Sequence, residues 1–277
     1  MPAVHRALLI YCLLTAVISW SLWAPLAWLG PLRAGQSPLK YLHLLGALGP
    51  AIAGLICARL FGGPAAFAVL RGRILRWRVP LKWHLIAWLG PFALLALALG
   101  MAALWEGGIA NPFIGNAEFA ALPLVLYWSA VLVFYGFGEE IGWRGFVLPV
   151  LQNQFPALLS TLILSVIWAL WHLPLFWFSP GLAALDSGGI VGWGLSLLTG
   201  AVILTWLANS TGGGVLIAAG FHATMDLAFA PSLSPLATSL IGGMVTVWGV
   251  GVLIGTGALA RPTKVTLPLR PDAAGQT

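Results

Sequence analysis

Residues 156–178 read PALLSTLILSVIWALWHLPLFWF, 23 consecutive positions without an Asp, Glu, Lys or Arg. As a helix, at about 1.5 Å per residue, such a run rises about 35 Å, enough to cross a hydrocarbon core of about 30 Å. Helix is the conformation expected there, because a single segment in lipid must satisfy its own backbone N–H and C=O groups. Similar apolar runs lie near 7–30, 41–62, 84–105, 120–140, 190–209, 213–230 and 236–260. Gly and Pro mark the joints between them, at Gly30-Pro31, Gly62-Gly63-Pro64, Asn111-Pro112, Pro156, Pro180-Gly181, Gly212-Gly213-Gly214 and Pro231. The expected fold is all-α, a polytopic transmembrane helix bundle of about eight spans forming a single integral membrane domain over 1–277.

Composition leads to the same class. Of 277 residues, 60% are hydrophobic and only 7% charged, with a mean hydropathy of +0.96, whereas a soluble domain carries about a quarter charged residues. A soluble enzyme, a secreted disulfide scaffold and a disordered chain are excluded. The formal charge of +6 reads as an orientation signal and as contact with anionic lipid; nucleic acid is not an expected partner. Cys12 and Cys57 each sit inside an apolar run and form no CxxC pattern. The first run follows His5-Arg6 and extends over 20 residues without a clear small-residue cleavage site, so it is read as a retained span. Arg71, Arg73, Arg76, Arg78 and Lys82 follow the second run, and Arg261, Lys264 and Arg270 lie in the tail, so both segments and the N-terminus are expected on the cytoplasmic side.

Ionisable groups inside a membrane are costly and mark functional sites by default. Glu106, Glu118, Asp186 and Asp272 fall in loops or the tail, leaving Glu139, Glu140 and Asp226 within apolar runs. His43 and His84 lie near span ends beside Lys40 and Lys82, where interfacial anchoring is expected, while His172 and His222 lie deeper. In GEEIGWR, residues 138–144, Glu140 and Arg144 are four apart with the acid first, the favoured order for a pair on one helical face. Glu139 points about 100° away on that helix and has no cation at helical spacing, so it is the carboxylate available as a general base. The alternative for both acids is a polar packing network. Trp168-Ala-Leu-Trp171-His172 comes late in the fifth run. A turn at Phe155-Pro156 sets Glu139 and His172 level, each about 24 Å along its helix. Counted from a cytoplasmic turn, that depth is nearer the opposite face, so either the fourth helix breaks near Gly136-Phe137-Gly138 or the orientation is reversed, and the side on which the site opens stays undecided. His222 and Asp226 lie one turn apart on one face.

A base, a polarising imidazole and a separate His-Asp pair suit water-dependent amide cleavage, and equally a metal site or a proton path. The chain contains no His-Glu-x-x-His, Gly-x-Gly-Asp or Gly-x-Ser-x-Gly sequence, and no Walker or dinucleotide glycine fingerprint. Together the three clusters resemble the CAAX prenyl endopeptidase and bacteriocin-processing (CPBP) family of intramembrane proteases. Glu139-Glu140-x-x-x-Arg144 matches its Glu-Glu-x-x-x-Arg motif, Trp168-x-x-x-His172 its Phe-x-x-x-His motif with Trp for Phe, and His222-x-x-x-Asp226 its third motif, His-x-x-x-Asn or Asp.

The resemblance implies an endopeptidase whose catalytic helices lie in 120–230 and which cuts a prenylated or membrane-inserted peptide near its C-terminal end. Glu139 and His172 would activate the water, His222 and Asp226 would stabilise the oxyanion, and Glu140, Arg144 and Trp168 would support the site. Asp226 would either be protonated or orient His222 from behind, since an ionised carboxylate cannot donate a hydrogen bond. No cofactor is expected, with zinc the one possible ion. The expected partners are membrane lipid and a lipid-modified or hydrophobic peptide, and the expected location is a prokaryotic cell membrane. Two other readings remain, a proton- or ion-coupled transporter and a non-catalytic bacteriocin-immunity protein. Transporters often show matched broken-helix halves, and this chain has no such internal symmetry.

Overall fold

The computed structural model describes residues 3–108, 119, 122–230, 233–256, 259 and 265–270. The joints at Asn111-Pro112 and Pro231, and Glu118, Arg261, Lys264 and Asp272, lie outside the described residues. Among the described residues the regular structure is helical throughout, in eight main helices: α1 (Ala3–Gln36), α2 (Gly49–Ile74), α3 (Leu81–Glu106), α4 (Leu124–Leu151), α5 (Ala157–Trp171), α6 (Ser187–Ser210), α7 (Val215–Phe229) and α8 (Pro235–Thr256). With the short helical turns that extend α2 and α5, seven of them are long and apolar enough to cross a membrane. The chain is an integral membrane protein. α7 is the exception to the expected eight, at 15 residues. It packs against α3 and the middle of α4, and its Ile217, Ala218, Ala219, Gly220, Ala223 and Ala228 are buried. A helix enclosed by protein need not match the thickness of the lipid.

The punctuating glycines act as kinks as well as ends. Gly30 (φ 73°) and Gly63 (φ 68°) take backbone angles that favour glycine. At the second of these the helix resumes and continues to Ile74. The expected basic loop after residue 62 therefore begins as helix, with Arg71 and Arg73 in the last turn of α2.

α4 carries the first motif, and its geometry changes along its length. Leu124–Ala130, Gly138–Gly142 and Leu148–Leu151 are α-helical, while Val131–Phe137 and Trp143–Val147 are π-helical. The widened turns bracket Glu139 and Glu140, a placement common at functional sites. At Gly136-Phe137-Gly138, where a break was one of two alternatives, the helix is continuous and changes pitch. Glu139 lies 12 residues before Leu151 and 15 after Leu124, about 18 and 22 Å at helical rise. The expected 24 Å counted Gln152–Phe155 as helix, whereas the chain leaves the helix there. Glu139 therefore sits near the middle of α4.

Small residues let neighbouring backbones approach α4. A Cβ on Gly142 would fall 2.4 Å from both Pro50 O and Tyr11 Oη, and one on Gly138 would fall 2.8 Å from Ala47 O. Such close approach is how helices associate where lipid offers no hydrophobic drive. Gly142→Val is expected to lower stability by about 1–3 kcal/mol or more through overpacking against backbone, measured as a lower thermal midpoint in detergent.

The ends of α2, α4 and α6 gather at one face with residues 265–270. Arg270 N donates to Phe61 O (2.8 Å), Gln152 Nε2 to Val265 O (3.0 Å) and Asn153 Nδ2 to Leu267 O (2.8 Å). Arg73 Nη2 donates to Thr266 O (3.0 Å) and Arg76 Nη1 to Gly212 O (3.1 Å). This face carries the Arg71–Lys82 cations, and we expect it in the cytoplasm. Reporter fusions in the 75–80 and 211–214 turns test this, with a cytoplasmic signal expected from both; an external signal from either contradicts it.

Candidate active site

The three motifs converge between α4, α5 and α7. Glu139 is 5% exposed. Its Oε2 accepts hydrogen bonds from Trp168 Nε1 (2.8 Å) and Trp143 Nε1 (3.3 Å). No cation of a described residue hydrogen-bonds to it. Glu140 is fully buried, and its Oε1 accepts from Arg144 Nη1 at 2.8 Å, the pair that helical spacing gave. The same oxygen lies 2.8 Å from His222 Nδ1. An ionised carboxylate only accepts, so Nδ1 carries the proton in this contact and Nε2 is the ring nitrogen turned to the rest of the site.

His222 Nε2 lies 3.7 Å from Asp226 Oδ2, too far for a hydrogen bond. The possibility that Asp226 orients His222 from behind is therefore corrected, because Glu140, on the neighbouring helix, occupies that position. Spacing within α7 alone could not reveal a partner from α4. The Asp226 side chain is 36% exposed, far more than the other acids of the site.

His172 caps α5, with its Nδ1 2.7 Å from Trp168 O. A carbonyl only accepts, so again Nδ1–H donates and Nε2 is presented. Its ring packs among Trp168, Trp171 and Trp193 at centroid distances of 5.5, 5.0 and 5.7 Å. The link between His172 and Glu139 runs through Trp168, which bonds the carboxylate with its indole and the imidazole with its carbonyl. The same indole lies 5.5 Å from the His222 ring and under the Arg144 guanidinium at 4.8 Å. Treating Trp168 as a bulky substitute for Phe missed its N–H, and Trp143, four residues after Glu139 on the same helix, was passed over because only a cation was sought at that spacing.

His43 is corrected as well. It is 8% exposed, with the rings of Trp23, Tyr135 and Phe178 at 6.1, 5.5 and 5.2 Å, and lies within electrostatic reach of His172 and Asp226. The short helix Tyr41–Gly46 brings it inward, and Gly46 admits the Trp23 indole, which would lie 2.1 Å from any Cβ there. His84 stays at a helix end, its Nε2 2.8 Å from Trp77 O.

Among the described residues, no three His, Cys, Asp or Glu side chains converge as metal ligands.

Residues 121–228 match the family model described as Type II CAAX prenyl endopeptidase Rce1-like. Over 93 residues the chain is 27% identical to "CAAX prenyl protease 2" of Methanococcus maripaludis, a match covering 32% of this chain and 34% of that protein. The chain thus spans about a third of that relative's length. The matched segment holds α4 to α7 and all three motifs, and over that segment the chain is similar to the CAAX prenyl endopeptidases.

Proposed function

We propose that this chain is an intramembrane CAAX-type endopeptidase that hydrolyses a peptide bond near the C-terminal end of a lipid-modified or membrane-inserted peptide. The observation that carries the reading is a buried carboxylate, Glu139, to which no described cation hydrogen-bonds, held beside two imidazoles that each present Nε2. In the proposed reaction Glu139 removes a proton from a water that His172 Nε2 holds in place, and the hydroxide attacks the peptide carbonyl. His222, with both nitrogens protonated, donates Nδ1–H to Glu140 and Nε2–H to the developing oxyanion. Asp226, beside Nε2, adds a second donor in its protonated form. The C–N bond then breaks as Glu139 returns its proton to the leaving amine. Glu140 and Arg144 hold His222 in register.

No step in this scheme uses a metal. Purified protein in lipid nanodiscs is expected to cleave a farnesylated C-terminal peptide faster than its unlipidated counterpart, and to keep that activity after a chelator wash. About one zinc per chain, with activity lost on stripping and restored on adding it back, would replace the scheme with a metal-bound nucleophile. No cleavage of either peptide would remove the endopeptidase reading.

A further inference from the structure

Both hydrogen bonds to Glu139 end on the same oxygen. Trp168 Nε1 lies 2.8 Å and Trp143 Nε1 3.3 Å from Oε2, and no described residue hydrogen-bonds to Oε1. A free Glu side chain has three rotatable bonds, and a base whose lone pair wanders spends little time aimed at its water. Here the two donors are themselves fixed. Trp143 is 0% exposed and packs edge-on against Tyr11 and Trp171 at 5.5 and 5.8 Å. Trp168 is 7% exposed and is wedged between the Arg144 guanidinium and the rings of His172 and His222. The stronger donor is also where this chain departs from the Phe-x-x-x-His pattern, since a phenyl ring at 168 could fill the space and would have no N–H.

We infer that Trp168 and Trp143 are positioning residues that anchor the Glu139 carboxylate through Oε2 and leave Oε1 as the oxygen that takes the proton from water. The inference rests on the endopeptidase reading for its reaction, and on the two indole bonds for its geometry. Trp168 contributes the larger part, because its bond is shorter and it joins the base to His172 through its own carbonyl.

Two measurements test it. The first is kinetic, on the full chain in nanodiscs with a farnesylated peptide. Trp168→Phe and Trp168→3-benzothienylalanine both remove the N–H, and the second keeps the fused-ring shape. Each is expected to lower kcat about ten- to a hundredfold, the equivalent of one hydrogen bond to a charged group. KM should stay within about twofold, since the bond orients the base and does not hold substrate. The thermal midpoint of the benzothienyl variant should stay near that of wild type. Wild-type kcat in that variant would overturn the inference, because ring shape alone would then suffice.

The second needs no turnover. With 15N-labelled indoles, the Trp168 and Trp143 N–H resonances should both move on Glu139→Leu, which removes their acceptor. Two unmoved resonances would show that the bonds are not made. A wild-type protein that cleaves nothing would defeat the endopeptidase reading, while the indole resonances would still decide whether the two N–H groups hold Glu139.

Discussion

Glu139→Gln is expected to lower kcat by about 10²- to 10⁴-fold, the usual contribution of a general base, in a protein that remains folded. The amide keeps an oxygen able to accept from Trp168 Nε1 and Trp143 Nε1, so the packing around it has reason to persist. No described cation hydrogen-bonds to Glu139, and Arg144 keeps Glu140 as its counter-ion. The lost capacity is that of taking a proton from water. Steady-state cleavage of a farnesylated peptide, read beside the thermal midpoint in detergent, separates the two effects. Near-normal kcat would assign the base elsewhere.

Glu140→Gln should behave in the opposite way. Arg144 is wholly buried and its Nη1 bonds Glu140 Oε1, so neutralising the acid leaves a cation in the bundle without its counter-ion. Removing one partner of a buried pair typically costs about 3–5 kcal/mol, and the substitution also weakens the anchor of His222 Nδ1. A sharply lower thermal midpoint and reduced yield are expected. Replacing the pair together, Glu140→Leu with Arg144→Leu, should restore part of the stability, because the two changes are coupled. It should not restore activity, since His222 would still lack its holder. If Glu139→Gln unfolds the protein and Glu140→Gln leaves it intact and inactive, the two roles are exchanged.

The contrast between the adjacent acids was legible in the sequence because it depends on a local rule. Glu140 and Arg144 lie four apart on one helix, and that spacing survives the neighbouring π-turns. Runs such as 156–178 declared membrane helices through length and lack of charge, again a local property. What spacing could not supply was contact between helices. The bond between Glu140 and His222 joins α4 to α7, and the shorter indole bond to Glu139 needs a donor from α5, whereas Trp143 stands four residues after Glu139 on the same helix, a spacing searched only for cations. His43 looked interfacial because it stands near an end of its run, yet the Tyr41–Gly46 turn tucks it among aromatic rings. The shortness of α7 also escaped the composition argument, because protein surrounds it and the lipid thickness does not set its length. Trp143 and Trp168 were readable as bulk and unreadable as donors, since Trp in a chain with 15 of them carries no signal until its N–H is placed.

The central claim is that Glu139 drives water-dependent cleavage of a lipid-modified peptide. Its most direct test is mass spectrometry of a farnesylated peptide incubated in H2 18O with purified wild-type protein and with Glu139→Gln, both in nanodiscs. The account predicts a shortened, still farnesylated product from the wild type, with one 18O in its new carboxylate, and none from the variant. An intact peptide with the wild type, or the same product at the same rate from both proteins, would contradict it.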